Sequence, residues 1–578
     1  MISPPGPGDL MFTRTNRPLP RGSLVLSKSK LESQLLRVND LKIETYISER
    51  NVSWLPTYFN TCKSWHGKSK VEAAFWKTKG NNFFQQRKFA LAVDAYTQSC
   101  INAPVSEGED LTLSLGNRSA ALFHLTHYQL CITDIDRALS LNFPPASLHK
   151  LLARKTMALV KLDKKTEAVK SLLVLKNFVD SPSFSLKGPK KDIFLKEVDA
   201  MELTVENLTE RLSVWKNMNQ MALKPKVYGG LNKALLQASQ CVTMAYTTEK
   251  GRHLCATEAI PRGSTLIVEK PFAAVLLPSH YDTHCHHCFS TLPLNCIGCK
   301  RCTSVKFCNE VCRDTAWSKY HATECPYLDL LHSVGIAHLS LKIVLCTGLP
   351  FLKEFQEHQS KYRLSLEPDS LGLNQKGQYE GDYVTVFDLM THEDTTEESD
   401  MLQYSMTAAL LLVTLDHAGF FSARDAYGDS FGSSSFDLSG LVLGEKKSNQ
   451  STRDSIDLPS DMSQVGGLLL RHILQLVCNA HAITSIQAEP SAEANVSGTE
   501  QTRLATAIYP TASLMNHSCD PTIVSRFVLN ILAAPLELHD GKVKTFLLDS
   551  VFLETTTTAL SLKRSLVVLR IMTLLSTW

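Results

Sequence analysis

Eight potential metal ligands in four consecutive pairs restrict the fold of this 578-residue chain more than any other feature of its sequence. They fall as Cys285-x2-Cys288, Cys299-x2-Cys302, Cys308-x3-Cys312 and His321-x3-Cys325. Zinc favours thiolate and imidazole at about 2.0–2.3 Å, and short spacings let both members of a pair reach one metal from a single turn. Eight ligands fill two tetrahedral zinc sites with no open position, so both ions are expected to be structural and to replace the core that so short a segment cannot build. Unrelated buried cysteines do not fall in four successive chelating pairs. Cys296, His284, His286 and His287 lie nearby but break the spacing and read as bystanders. Lys300, Arg301, Lys306 and Arg313 either offset thiolate charge or are plain surface residues.

A chain of this length exceeds one hydrophobic core and implies three or four folded units. Its 60 basic and 57 acidic residues leave a formal charge of only +3, so no global field draws it to nucleic acid or an anionic membrane. Neither the Pro- and Gly-rich start nor the apolar stretch 565–578, interrupted by Arg570, reads as a signal peptide or a membrane span. Sixteen cysteines in such a chain point to thiols and metal rather than disulfides.

Residues 1 to about 30 lack apolar periodicity and read as a disordered tail. From Trp76 a different pattern begins. Gly80, Phe83, Ala92, Tyr96 and Pro104 stand at the offsets where a tetratricopeptide hairpin places its small, aromatic and helix-ending residues. Ser119, Leu122, Cys131 and Ile135 repeat those offsets 39 residues on, and Thr156, Leu159, Ala168 and Leu172 do so after a further 37. The usual period is about 34, and short insertions account for the excess. Such a segment is an α-solenoid piece, a binding or packing surface rather than a catalyst, whether or not it carries a peptide groove. Two later stretches, 428–461 and 489–502, are rich in Ser, Gly, Asp and Glu and read as disordered insertions. Between them, the dense apolar run from Leu468 to Asn479 reads as a buried helix.

The ligand spacing resembles the MYND zinc finger, in which alternate pairs share a metal. That pattern implies one site of Cys285, Cys288, Cys308 and Cys312 and a second of Cys299, Cys302, His321 and Cys325. Upstream, Lys250-Gly-Arg-His reads as a loop leading to a strand, a Pro261-Arg-Gly turn and a second strand. Downstream stands Asn516-His-Ser-Cys-Asp-Pro. Flanking a MYND finger, these segments resemble the SET- and MYND-domain lysine methyltransferase family, in the branch with N-terminal tetratricopeptide repeats.

The resemblance implies an S-adenosyl-L-methionine pocket that includes Lys250, Gly251, Arg252, Asn516 and His517, with Asn479 of Cys478-Asn479 as a further contact. His253 stands where many relatives have a second glycine, a departure that bears on close backbone approach to the cofactor. The implied fold is multidomain α+β. It comprises a tail with leading helices (1–70), tetratricopeptide-like repeats (71–180), a helical linker (181–235) and the first part of a split SET domain (236–280). The finger (285–325), a helical insertion (326–427), a disordered insertion (428–465), the SET core (466–525) and a divergent tail (526–578) follow.

Methyl transfer to lysine needs a neutral amine, whose free pKa is near 10.4. A narrow channel with oriented dipoles lowers that value and aligns the reacting atoms. The family supplies these with a tyrosine and a cysteine-rich zinc site after the Asn-His-Ser-Cys motif. Here the last tyrosine is Tyr509 and the last cysteine Cys519, so the catalytic residue stays unassigned and activity of this chain is expected to be impaired by a truncated SET end. The expected substrate is a protein lysine, with protein partners at the repeats and the finger. No membrane or sequence-specific nucleic-acid partner is expected, and the implied location is nucleus and cytoplasm. The competing reading is a non-catalytic adaptor or co-repressor that acts through those two surfaces.

Overall fold

The computed structural model describes residues 67–104, 109–208, 226–362, 370–421, 458–488, 499–517, 523–530, 547–555 and 567–568. The expected N-terminal tail and most of the two disordered insertions lie outside them. The first described unit is a run of seven helices: α1 (Lys70–Gln85), α2 (Phe89–Asn102), α3 (Glu109–His124), α4 (Tyr128–Ser140), α5 (Pro145–Lys161), α6 (Lys165–Val179) and α7 (Pro189–Glu206).

Small residues set how closely these helices approach. A Cβ on Gly80 would stand 2.6 Å from the Tyr96 ring, so α1 can lie against α2 only because that atom is missing. In the next hairpins Ser119, Cys131, Thr156 and Ala168 are buried at the equivalent contacts. Buried hydroxyls also meet across helices, Ser99 with Ser114 at 2.7 Å and Thr156 with Ser171 at 2.9 Å. The first helix of each hairpin ends on a left-handed residue, Arg87, Thr126 and Asp163, with φ of 57°, 64° and 55°. The next amide in each case returns to the carbonyl of Phe83, Leu122 or Leu159. This is the Schellman closure, made here without its usual glycine. Helix α7, at the start of the expected linker, packs against α5 and α6.

The second unit is mixed. Strands β1 (Val242–Thr247) and β2 (Gly251–Ala256) form an antiparallel hairpin closed at Thr247↔Gly251. Strands β3 (Thr265–Glu269) and β4 (Ala273–Leu276) follow. The finger then contributes β5 (Ile297–Gly298), β6 (Lys306–Phe307) and α8 (Glu310–Ala316). Among the described residues the helices α9 (Leu328–Ser333), α10 (Ala337–Thr347), α11 (Leu349–Tyr362), α12 (Tyr383–Phe387), α13 (Glu398–His417) and α14 (Ser460–Asn479) follow. The last elements are β7 (Ala480–Ala488), β8 (Thr499–Ile508), α15 (Pro510–Ser513), β9 (Asn516–His517), β10 (Ile523–Asn530), β11 (Leu547–Thr555) and β12 (Val567–Val568).

Strands distant in sequence pair in both larger sheets, whose orders are β4-β8-β7 and β3-β11-β10-β12-β9. The segment expected to diverge therefore supplies a hairpin, β10 and β11, whose second strand pairs antiparallel with β3 at Val551↔Glu269. Helix α14 begins at Ser460, inside the expected 428–465 insertion. Pro459 immediately precedes its first turn and Asp461 complements the amide-rich end. Likewise β8 begins at Thr499 because it pairs with β7 from Ala488↔Thr499.

Helices α10, α13 and α14 pack together. The core they share with the sheets runs without a break into the finger, where Cys285, Cys299, Cys302, Cys312 and Cys325 belong to it. The array has a separate core. The architecture is thus multidomain α+β: a tetratricopeptide-like array, a split β-rich domain, an inserted finger and a helical insertion. Among the described residues no helix is long and apolar enough to cross a membrane.

Candidate metal centres and cofactor site

The finger brings its eight ligands into two groups. Cys285, Cys288, Cys308 and Cys312 converge in one; Cys299, Cys302, His321 and Cys325 in the other. In the first, Cys288 and Cys308 sulfurs stand 3.7 Å apart and Cys308 and Cys312 3.4 Å. In the second, Cys299 and Cys325 are 3.8 Å apart, and His321 Nε2 lies 3.2 Å from Cys299 and 3.7 Å from Cys302. A tetrahedron with zinc–sulfur bonds of about 2.3 Å has edges of about 3.8 Å, so both groups fit structural zinc. Local geometry presents them: Asn309 caps α8 by accepting from the Cys312 amide at 2.9 Å, and the Arg301 amide donates to Cys299 sulfur at 3.3 Å. Lys300 and Arg313 pair with Asp314, and Lys306 with Asp282, rather than with the thiolates. Cys296, His284, His286 and His287 stand outside both groups.

Glu324, between His321 and Cys325, is completely buried. Its carboxylate accepts from His338 Nε2 at 2.9 Å and from Lys342 Nζ at 2.7 and 2.8 Å. Burial disfavours both charges. At Glu324 the fields of Lys342 and His338 outweigh it and hold the carboxyl well below the usual range, whereas at Lys342 burial prevails and pulls the ammonium down. With both oxygens in contact with Nζ, the ion pair is the state that the geometry fits.

The finger also docks on the array through its loop between the first two ligand pairs. Arg118 of α3, fully buried, forms a two-pronged pair with Asp134 of α4 at 2.7 and 2.9 Å. It then donates to the carbonyls of Cys296 at 3.1 Å and Asn295 at 3.3 Å. Arg137 donates to Asn295 at 2.7 Å and pairs with Glu310 of α8. Thr97 reaches the Leu294 carbonyl at 3.2 Å. Gly298 rests on Ile101, where an added Cβ would stand 3.3 Å from the helix backbone.

At the split domain, segments far apart in sequence meet around Gly251. Asn516 Nδ2 reaches the Lys250 carbonyl at 3.5 Å, and the Leu254 amide donates to Leu514 at 3.2 Å. Ser513 Oγ donates to Asn479 O at 3.4 Å. Asn479, almost fully buried at the end of α14, donates to Met390 O at 3.0 Å. The Met390 methyl lies 3.9 Å from where a Cβ of Gly251 would be. Gly251 has a φ of +64°, a conformation glycine adopts at little cost. His253 is buried, its Nδ1 2.9 Å from the Gly251 carbonyl. The Arg252 guanidinium donates to the Leu371 carbonyl at 2.8 Å and to the Asp388 carbonyl, so it ties the hairpin to the α11–α12 connection and α12's end. His517 lies in β9, paired with Val568; its side chain lies outside the described set.

Residues that the sequence did not single out complete this site. Arg471 and Gln475 precede Asn479 by eight and four positions on one face of α14. Arg471 donates to Phe387 O at 2.7 Å, and Gln475 to the carbonyls of Val386, Phe387 and Leu389 at 2.8–2.9 Å. This ladder satisfies the carbonyls that close α12 and holds Met390 over Gly251. On the other side, buried Glu269 of β3 accepts from the Thr511 and Ala512 amides at 2.8 and 2.9 Å, which fixes the turn into Asn516. Burial raises its carboxyl to about 7, against those hydrogen bonds.

The MYND finger family model matches residues 285–325. Protein-lysine N-methyltransferase SMYD4 of Gallus gallus is 30% identical over 502 residues, covering 80% of this chain and 66% of that protein. The Homo sapiens protein of the same name is 28% identical over 521 residues, covering 80% and 61%. The chain thus spans less than two thirds of the length of these relatives. Over 124 residues it is also 31% identical to mitochondrial import receptor subunit TOM70 of Rattus norvegicus, covering 21% of this chain and 20% of that one. Among solved structures, the TPR2B domain of yeast Sti1 in complex with an Hsp70 peptide is 20% identical, covering 24% of this chain and 98% of that one at a TM-score of 0.20. Similarity running through four fifths of its length, on a fold that carries an inserted MYND finger, makes this chain a member of the SET- and MYND-domain protein-lysine methyltransferase family.

Proposed function

We propose that the chain binds S-adenosylmethionine where Lys250–His253, Met390, Asn479 and Asn516 converge, and that the family activity it serves is N-methylation of a protein lysine. The observation carrying this reading is the convergence itself: four chain segments are tied to one another at Gly251 by their own polar groups. When bound, the cofactor supplies a methyl sulfonium for in-line displacement. The chain's part is positioning. The Lys250 carbonyl and the Asn516 amide orient, and Gly251 leaves room for close approach, with Met390 bordering the loop. The Asn479 amide holds Met390 in place.

Turnover in this chain is impaired on the same reading. Two tyrosines beside the site are enclosed: Tyr509 is buried and Tyr379 donates to Pro510 O at 3.3 Å. Isothermal titration of the full chain with S-adenosylmethionine tests binding; saturable heat is expected, reduced at least tenfold in affinity by Asn516→Ala. No heat at millimolar cofactor would overturn it. Methyl transfer equal to that of the Gallus gallus relative would overturn the impairment. Residence in both nucleus and cytoplasm belongs to the same reading and is checked by fractionation.

An adaptor role is the second reading, favoured by one feature of the array. Asn81 and Asn117 pair at 3.1 Å, and Arg154 on α5 donates only to neutral groups, Gly116 O at 3.0 Å and Ser119 Oγ at 2.9 Å, among the described residues. A guanidinium with no carboxylate partner is suited to an acidic peptide. Arg154→Ala that left capture of an acidic peptide unchanged would remove the support for this reading.

A further inference from the structure

Beside the second metal centre, three histidines and a lysine converge on one carboxylate. Glu324 Oε2 lies 3.9 Å from Nδ1 of the ligand His321 and 3.8 Å from Nε2 of His286. His286 belongs to the loop between ligands Cys285 and Cys288 of the first centre. The two carboxylate oxygens also hold His338 and Lys342 of α10. All five side chains are at least 97% buried. Among the described residues, neither ring nitrogen of His286 nor Nδ1 of His321 has a hydrogen-bond partner.

Unpartnered nitrogens at this depth ask for either a proton bridge or a further metal ion. The positive charge decides between them. Lys342 Nζ already lies within 2.8 Å of both oxygens and 3.2 Å from the Tyr320 ring centroid, so a third cation beside it would be repelled at short range in a medium that screens poorly. A proton on His321 Nδ1 meets no such obstacle, and a shift of about 1 Å brings it into hydrogen-bond range of Oε2. Metal-bound histidines generally donate their second ring N–H to a carboxylate or carbonyl, which fixes the tautomer and raises ligand basicity.

We propose that Glu324 is the positioning residue of the second metal centre: it holds His321 with Nδ1 protonated and Nε2 free for the metal, and latches that centre to helix α10. His286 sits against the same oxygen from the first centre's loop, so one carboxylate joins both metal loops to the helical insertion. The role concerns this chain's own residues and stands apart from the cofactor reading.

The test uses the full zinc-loaded chain with Glu324→Gln and Glu324→Ala. Two zinc ions per wild-type chain are expected. Chelator-driven release of one should accelerate by about 10–100-fold in Glu324→Ala and by less in Glu324→Gln, with the other unchanged. Histidine nitrogen NMR should show the His321 Nδ1–H signal altered in both variants. Should Glu324→Ala fail to fold, Lys342→Met supplies the second probe, since it removes one of the two α10 side chains that hold the carboxylate and should quicken amide exchange in that helix alone. Three metals per wild-type chain, or release and His321 signals unchanged in every folded variant, would overturn the proposal.

Discussion

The helical array and the split domain hold themselves together over different distances along the chain. In the array each helix packs mainly on its sequence neighbours, and the same left-handed closure recurs at Arg87, Thr126 and Asp163. In the split domain β3 must find β11, and β4 must find β8, across the finger and the whole helical insertion. The lesson is that the array is assembled by repetition, whereas the β-rich half is assembled by closure, with the zinc finger lying inside the loop to be closed. Long closures cost entropy before any contact rewards them.

Metal removal should break that contrast most visibly. Structural zinc in small fingers contributes about 10–16 kcal/mol of apparent binding free energy at neutral pH. Chelation of the full chain should therefore unfold 285–325 and expose α9 and α10 to amide exchange, while α1 and α5 keep their protection. Equal loss in the array would erase the distinction. Arg118→Ala comes next. It strips buried Asp134 of its two-pronged partner and leaves it only Arg137 at 3.2 Å, a loss of up to about 3–5 kcal/mol. Denaturant unfolding followed in the array should register that loss, and exchange in the finger's 294–298 loop should rise with it.

The third prediction concerns Glu269. Its carboxyl is raised to about 7 in the folded protein from an ordinary value of 4.5. Stability it contributes is thus complete below about pH 4.5 and is lost as pH rises toward 7, by about 3 kcal/mol. Unfolding free energies of the split domain measured across that window should fall with pH, and Glu269→Gln should flatten the slope. A pH-independent profile in the native protein would remove buried Glu269 as its cause. The smallest expected effect is Gly80→Val, at about 1–3 kcal/mol from overpacking against Tyr96. Its influence should stay within α1 and α2; spread into the β-rich half would contradict independent cores.

What could be read from sequence follows the same division. Gly80, Ser119 and Thr156 announced the array because their roles depend on neighbours a fixed distance along the chain. The eight metal ligands were legible for a similar reason: the pairs are local, and the MYND pattern supplied their sharing. Lys250, Gly251, Asn479 and Asn516 were marked only by resemblance, and their meeting place depends on sheets that no local pattern encodes. Arg471 and Gln475 did leave a trace, polar residues four apart on the helix that ends in Asn479, but the surrounding leucines read as plain burial. Met390 left none, since the bond that holds it uses its main-chain carbonyl, which every residue carries. Strands β10 and β11 were hidden because β3, the partner of β11 across the sheet, lies before the finger.

One contact bears on how the family can vary. Arg118, Arg137 and Thr97 all address the loop after Cys288 through its main-chain carbonyls at Leu294, Asn295 and Cys296. Carbonyls are common to every residue, so the array inspects the path of that loop and is blind to most of its letters. An alignment should accordingly conserve the ten-residue gap between Cys288 and Cys299 more strictly than the identities inside it, Gly298 excepted, and an insertion there should be tolerated far less than a substitution.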